Sequence, residues 1–387
     1  MATLSCLRFI RRFIRPALLL FSTAGTLYAQ ELADLQIHGY VTQGFLYTSK
    51  NNYLSMNSSS GSLQWTDGAI SLADCVSPKL RIGIQLHMYQ LGQFGGPDIL
   101  VDWALADYKF DDRLGFRAGK VKTIIGLFND SQDVDSVHQW VLLPQSMYPI
   151  DNRGFNLAAL GGQMYGTLSL GERYGNLQYS ADIGEAYLDP NGGYEQQLSQ
   201  AGLTFPEAPG GTTYGGDLRW NTPLPGLLVG SSALSQALDG IANEGTLHMP
   251  ASASTAQYAQ YQHGRLYIAG EYWRQPFQLF ATIGGMTGFR AFDGRSWYPM
   301  LTYRLTSKLK VGTYYSHYMN KVGNTSNPAN YSKDWVVSGR YDFNSYLYGK
   351  LESHFLHGEG LGYYSMVNPN GVAPDSKMLA AKVGFTF

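Results

Sequence analysis

"MLAAKVGFTF", residues 378–387, alternates without a break. Leu379, Ala381, Val383, Phe385 and Phe387 fall on one face of an extended strand, and Ala380, Lys382, Gly384 and Thr386 on the other. A period of two reads as a β-strand. Its two largest apolar groups sit in the last three residues, where a chain frays unless it is tied into a sheet. Such a strand needs a sheet to join and an apolar medium for its outer face.

The pattern returns along the chain. "KLRIGIQLHMY" (79–89) sets Leu80, Ile82, Ile84, Leu86 and Met88 against Arg81, Gly83, Gln85, His87 and Tyr89. "NLQYSADIG" (176–184), "WVVSGRYDF" (335–343) and "LYGKLESHF" (347–355) alternate in the same way. These segments approach ten residues, the length a tilted membrane-crossing strand needs, and the body has no apolar run long enough for a spanning helix. Charged residues are 15% of the chain, below the usual quarter of a soluble protein.

The connections alternate between short and long. Short ones fall at 76–79, 110–113, 171–175, 221–226, 262–265, 305–308 and 343–345. Longer ones fall near 48–66, 91–98, 128–155, 188–212, 238–255, 275–294, 319–333 and 357–376. Short turns on one side and long loops on the other are the pattern of an outer-membrane barrel, and the count between them is 16, an even number. The fold expected is all-β: a 16-stranded antiparallel transmembrane β-barrel with short periplasmic turns and long extracellular loops. Residues 277–290 are apolar for a loop and leave the limits of strand 12 open. Tyr47, Trp103, Trp220, Tyr272, Trp273, Trp297, Tyr298, Tyr314, Tyr315, Tyr318 and Trp335 lie near strand ends, as an interfacial aromatic girdle requires.

The N-terminus differs. Arg8, Arg11, Arg12 and Arg15 precede a short apolar stretch closed by the small residue Ala29, the composition of a secretory signal peptide. Residues 1–29 are read as that leader and 30–387 as the barrel domain. Without the four leader arginines the chain holds 24 basic and 29 acidic residues, a net charge of −5. This excludes a nucleic-acid partner, which needs a basic footprint. Cys6 leaves with the leader, so Cys75 stands alone and is read as a packing residue.

"FRAGKVKTIIGLFNDSQDVDSVHQWVLLPQSMY" (116–148) and "GFNLAALGGQMYG" (154–166) resemble Gram-negative outer-membrane porins, closest to the branch that includes phosphate-selective porins. The resemblance covers the mature chain in architecture and about 110–170 in motif. It implies a homotrimer of 16-stranded barrels in the outer membrane, among its lipid and lipopolysaccharide, passing small hydrophilic solutes by diffusion. It implies that the third long loop, 128–155, folds inward and narrows the pore. It also implies that the barrel-assembly machinery reads the terminal strand through Phe385 and Phe387. Phosphate selectivity is not carried over, because that branch has dense channel lysine and this chain has no lysine cluster.

A channel needs no catalyst; side chains lining its constriction set selectivity. Strand parity points Arg81, Arg117, Arg219, Arg304, Arg340 and Lys350 into the lumen, with Asp182, Asp217, Glu271 and Glu352. Lipid exposure of Arg or Lys at mid-depth would cost about 2–4 kcal/mol. The loop adds Asp130, Asp133, Asp135, Asp151 and Arg153, and loop acids facing wall arginines would set a transverse field. Lys120 shares the parity of Leu114 and Phe116, so a bulge or the strand end must turn it, with Lys122, inward. His354 and His357 are three apart and point to opposite faces of a strand, which disfavours a shared metal. No catalytic, metal or cofactor motif stands out. The reading is a diffusion porin, with a substrate-specific channel for a small anion or sugar as the alternative, then a barrel enzyme or a plugged surface-binding barrel.

Overall fold

The computed structural model describes residues 35–189 and 192–387; the leader read at 1–29 lies outside the described residues. Sixteen antiparallel strands close on themselves in sequence order, β1 pairing with both β2 and β16. They are β1 (Gln36–Thr48), β2 (Ser62–Ser77), β3 (Leu80–Leu91), β4 (Phe94–Lys109), β5 (Gly115–Lys122), β6 (Ala158–Ser169), β7 (Asn176–Tyr187) and β8 (Gly210–Asn221). The second half comprises β9 (Leu227–Ala242), β10 (Gly245–His263), β11 (Leu266–Ile283), β12 (Met286–Arg304), β13 (Leu309–Asn320), β14 (Tyr331–Asp342), β15 (Leu347–Gly358) and β16 (Asp375–Thr386). Closure leaves no unpaired edge, the condition for sheet backbone in lipid.

The last residue completes the ring: the Phe387 and Gly39 backbones exchange two hydrogen bonds of 3.0 Å. Along β16, Leu379, Val383 and Phe385 are exposed on the outside, as is Phe387, while Met378, Ala380 and Lys382 are buried on the inside. Trp335, Val337 and Tyr341 on β14 and Leu351 and Phe355 on β15 repeat the exposed apolar exterior. A surface that apolar would drive association in water and is stable in hydrocarbon.

The alternation of short turns and long connections holds, with three differences. At 91–98, 238–255 and 275–294 the ladder runs on to two-residue turns at 92–93, 243–244 and 284–285. Asn243 and Glu244 have φ of 49° and 61°, and Gly284 and Gly285 have 58° and 79°, the double positive φ that matches strand twist in a tight hairpin. Strand 12 therefore begins at Met286, within the segment read as loop. Polar and apolar residues share both faces there, and Pro250 and Pro276 interrupt the pattern, so periodicity alone hides the strands.

The aromatic girdle is also partly different. Tyr47, Trp220, Tyr272, Trp297 and Trp335 are exposed outward, whereas Trp273, Tyr298 and Tyr314 are buried inward. Adjacent aromatics such as Tyr272–Trp273 must take opposite faces. Cys75 is exposed, not packed; it pairs with Arg81 at the short-turn end.

Candidate pore constriction

The connection from β5 to β6, residues 123–157, bonds to inward-facing side chains on strands around the whole ring. It therefore crosses the lumen. It ends in a short helix, α1 (Arg153–Leu157). Apolar packing holds its middle. Trp140, Met147 and Tyr148 cluster with Trp273, Tyr298, Met300 and Tyr314; Val141 and Leu142 cluster with Leu46, Trp65, Met378 and Ala380. Gly312 makes room for this, since a Cβ there would lie 2.7 Å from the Trp140 ring.

Polar anchors fix the backbone. Glu352 accepts the Val141 and Leu142 amides at 2.8 and 3.0 Å. Arg340 donates to the carbonyls of Ser136 and His138 at 2.6 and 2.7 Å. Glu271 accepts the Leu127 amide at 3.0 Å and the Tyr148 hydroxyl at 2.7 Å, and also the Tyr298 hydroxyl. Ser232 Oγ accepts the Gly126 amide at 2.8 Å. Buried amides and carbonyls need such partners, because an unpaired one costs about 1–3 kcal/mol.

One acid organises the loop's tip. Asp135 takes Lys350 Nζ on one oxygen and Lys382 Nζ on the other, both at 2.8 Å, and the Tyr348 hydroxyl donates at 2.8 Å. Its two lysines outweigh burial and hold its carboxyl well below the usual range. His138, buried with its Nε2 2.8 Å from the Ser131 carbonyl, is lowered to about 4 by burial and carries no charge at neutral pH.

The remaining candidates divide by location. Asp133 meets Lys122 at 2.7 Å and Gln85 at 2.8 Å. Arg153 pairs with Asp102 and reaches His87 Nε2 at 3.0 Å; Asp102 is the extra residue where the β3–β4 register shifts. Asp151 accepts the Tyr364 hydroxyl instead of meeting a cation. Arg219 binds Asp217 at 2.8 Å and reaches Asp130 at 3.4 Å. Arg117 binds Asp107 at 3.0 Å and lies over the Tyr165 ring. Arg117 thus stands apart from the loop acids, as do two others: Arg81 bonds Gln36 at 3.1 Å, and Lys120 Nζ donates to the Val101 carbonyl at 2.6 Å. His354 turns inward to Asp334 and Glu352, and His357 bonds Asp375 on the other face.

The loop acids thus touch lysines directly more often than they face arginines across a gap. Cross-strand register places Arg304 opposite Lys310, Lys310 opposite Arg340, Arg340 opposite Lys350, and Lys350 opposite Lys382. Five neighbouring strands, β12 to β16, carry one continuous row of inward cations. Sequence reasoning named Arg304, Arg340 and Lys350 singly and left out Lys310 and Lys382. Register is the missing information: Lys382 was visible on the polar face of the terminal strand, but only pairing reveals the row.

No protein-family model and no curated protein matches the sequence. Solved structures do match in fold. OmpF of Salmonella typhi, in complex with daunomycin, aligns with a TM-score of 0.57 at 14% identity, over 91% of this chain and 97% of that one. The anion-selective porin of Comamonas acidovorans gives 0.55 at 12%, over 91% and 98%. In-vitro folded OmpT of Vibrio cholerae, in a trimer form, gives 0.52 at 10%, over 91% and 99%. The chain has the fold of Gram-negative outer-membrane porins.

Proposed function

We propose, from that porin fold, that the protein is an outer-membrane channel through which small hydrophilic solutes and ions diffuse passively. The observation that carries the reading is the division of the closed ring into an apolar exterior and a charged interior around an inward-folded loop. Short turns then lie at the periplasmic rim and long connections at the extracellular rim. The anchors around residues 123–157 favour a fixed constriction over a swinging lid, since apolar packing and buried ion pairs would both have to be broken to move it. The trimer form of a fold neighbour supports a homotrimer, with Phe385 and Phe387 on the lipid-facing assembly strand. No step of this function needs a catalytic residue or a cofactor.

Swelling of proteoliposomes in sugars of graded size tests the reading. Uptake that falls steeply with solute size is expected; liposomes whose swelling equals that of protein-free controls at every size would refute it.

A further inference from the structure

The basic row is compensated at one end only. Asp135 bridges Lys350 and Lys382, one oxygen to each. Arg340 is satisfied by Asp342 at 2.8 Å and by the loop carbonyls. Arg304 and Lys310, directly opposite each other on β12 and β13, have no such closure. Like charges facing across a sheet destabilise it. Lys310 Nζ reaches one acid among the described residues, Asp342 at 4.0 Å, which is already engaged by Arg340. The Arg304 guanidinium has no ion pair among the described residues.

These two cations, with Arg265 of the turn between β10 and β11, line a recess of about 330 Å³ beneath the loop, and among the described residues no acid lines it. Its other walls are mixed: Phe128 from the loop and Tyr267 from β11, both half-buried, with Trp140, supply the aromatic side, and uncharged Ser131, Gln139, Gln262 and Thr302 the polar one. His138 borders it uncharged. A volume of this size holds a small molecule, and a few convergent charges beside aromatic side chains are what a ligand site offers.

We propose that this recess is a binding site for a small organic anion bearing a flat apolar ring, an aryl carboxylate being the simplest form. Its carboxylate meets Arg304 and Lys310, and its ring lies between Phe128 and Tyr267. A guanidinium offers paired donors to a carboxylate, which a hydrated halide uses less well. The site opens at the short-turn mouth, below the constriction, so it holds an anion on the path between lumen and periplasm. The assignment rests on the channel reading for its biological sense but not for its test.

Calorimetric titration of the folded, full-length barrel in detergent with benzoate tests it, with benzamide as the uncharged ring control. Saturable benzoate binding is expected, with benzamide at least tenfold weaker. Each cation is worth about tenfold in affinity, so Arg304→Gln and Lys310→Gln together abolish measurable binding while Lys310→Arg retains it. Both side chains border open space, and heat-modifiable migration on gels checks that the variants fold. Absence of saturable binding, equal binding of benzamide, or an unaffected double variant would overturn the assignment. A barrel that conducts ions yet binds no benzoate refutes this site and leaves the channel standing; one that binds benzoate without conducting does the reverse.

Discussion

Replacing Asp135 by Asn isolates what the loop's tip owes to one carboxylate. The wild-type carboxylate sits between two ammonium groups whose side chains are 0% and 2% exposed. Asparagine keeps the volume and one acceptor but removes the charge. Lys350 and Lys382 then remain buried, adjacent and uncompensated, and breaking such an arrangement costs about 3–5 kcal/mol. Water reaching the lysines is the cheapest relief, and it requires residues 134–138 to lift from β15 and β16 and to release the two Arg340 bonds on β14. At 1.4 kcal/mol per decade, the detached tip gains a factor of up to roughly 10² to 4 × 10³ in relative population. Val141 and Leu142 stay on Glu352, so the barrel persists and only the tip moves. Single-channel recording is the assay. The variant should show larger, noisier conductance and a reversal potential shifted toward anions, because two cations lose their counter-charge. A folded Asp135→Asn barrel with wild-type conductance, noise and selectivity would refute the tethering argument.

Acid should release the same tether, because a protonated carboxyl is as neutral as the amide. Asp135 has a carboxyl pKa below its ordinary 3.8, so its stabilisation is fully present above that value and is lost as pH falls through the depressed one. Conductance noise should therefore stay at its neutral level down to about pH 4, as current records across a pH series would check. Trp140→Ala removes a ring only 3% exposed, packed edge-on to Tyr314 at 4.9 Å. The cost is about 3–5 kcal/mol, read as a lower thermal midpoint and faster proteolysis within 123–157. Cys75, exposed beside Arg81, should react fully with a membrane-impermeant anionic thiol reagent in proteoliposomes and reduce the current. Mass spectrometry showing an unmodified thiol would place it elsewhere.

Much of the fold was legible because a membrane barrel writes its geometry in a period of two. Residues 378–387 alone specified which face of β16 turns out, and closure implied its pairing with β1, but the register of that pair was not legible. The hairpins at 243–244 and 284–285 were not legible. Beyond the lipid a strand no longer needs an apolar outside, so alternation fades while the backbone ladder continues. The inward loop was expected from resemblance, but its partners were not. Glu352 and Arg340 were identified as inward by parity, yet nothing in sequence says that they hold backbone groups of 136–142. Lys382 is separated from Asp135 by 247 positions, and no local pattern connects them. Aromatic neighbours such as Trp297 and Tyr298 are equivalent in composition; only the pleat assigns one to lipid and the other to Glu271.

A channel requires an open lumen past residues 123–157. Current across a planar bilayer containing the purified wild-type protein, under a salt gradient, measures it. Stepwise conductance is expected, appearing in threes, with a stable reversal potential. A heat-modifiable, fully folded barrel that inserts and passes no current would contradict it.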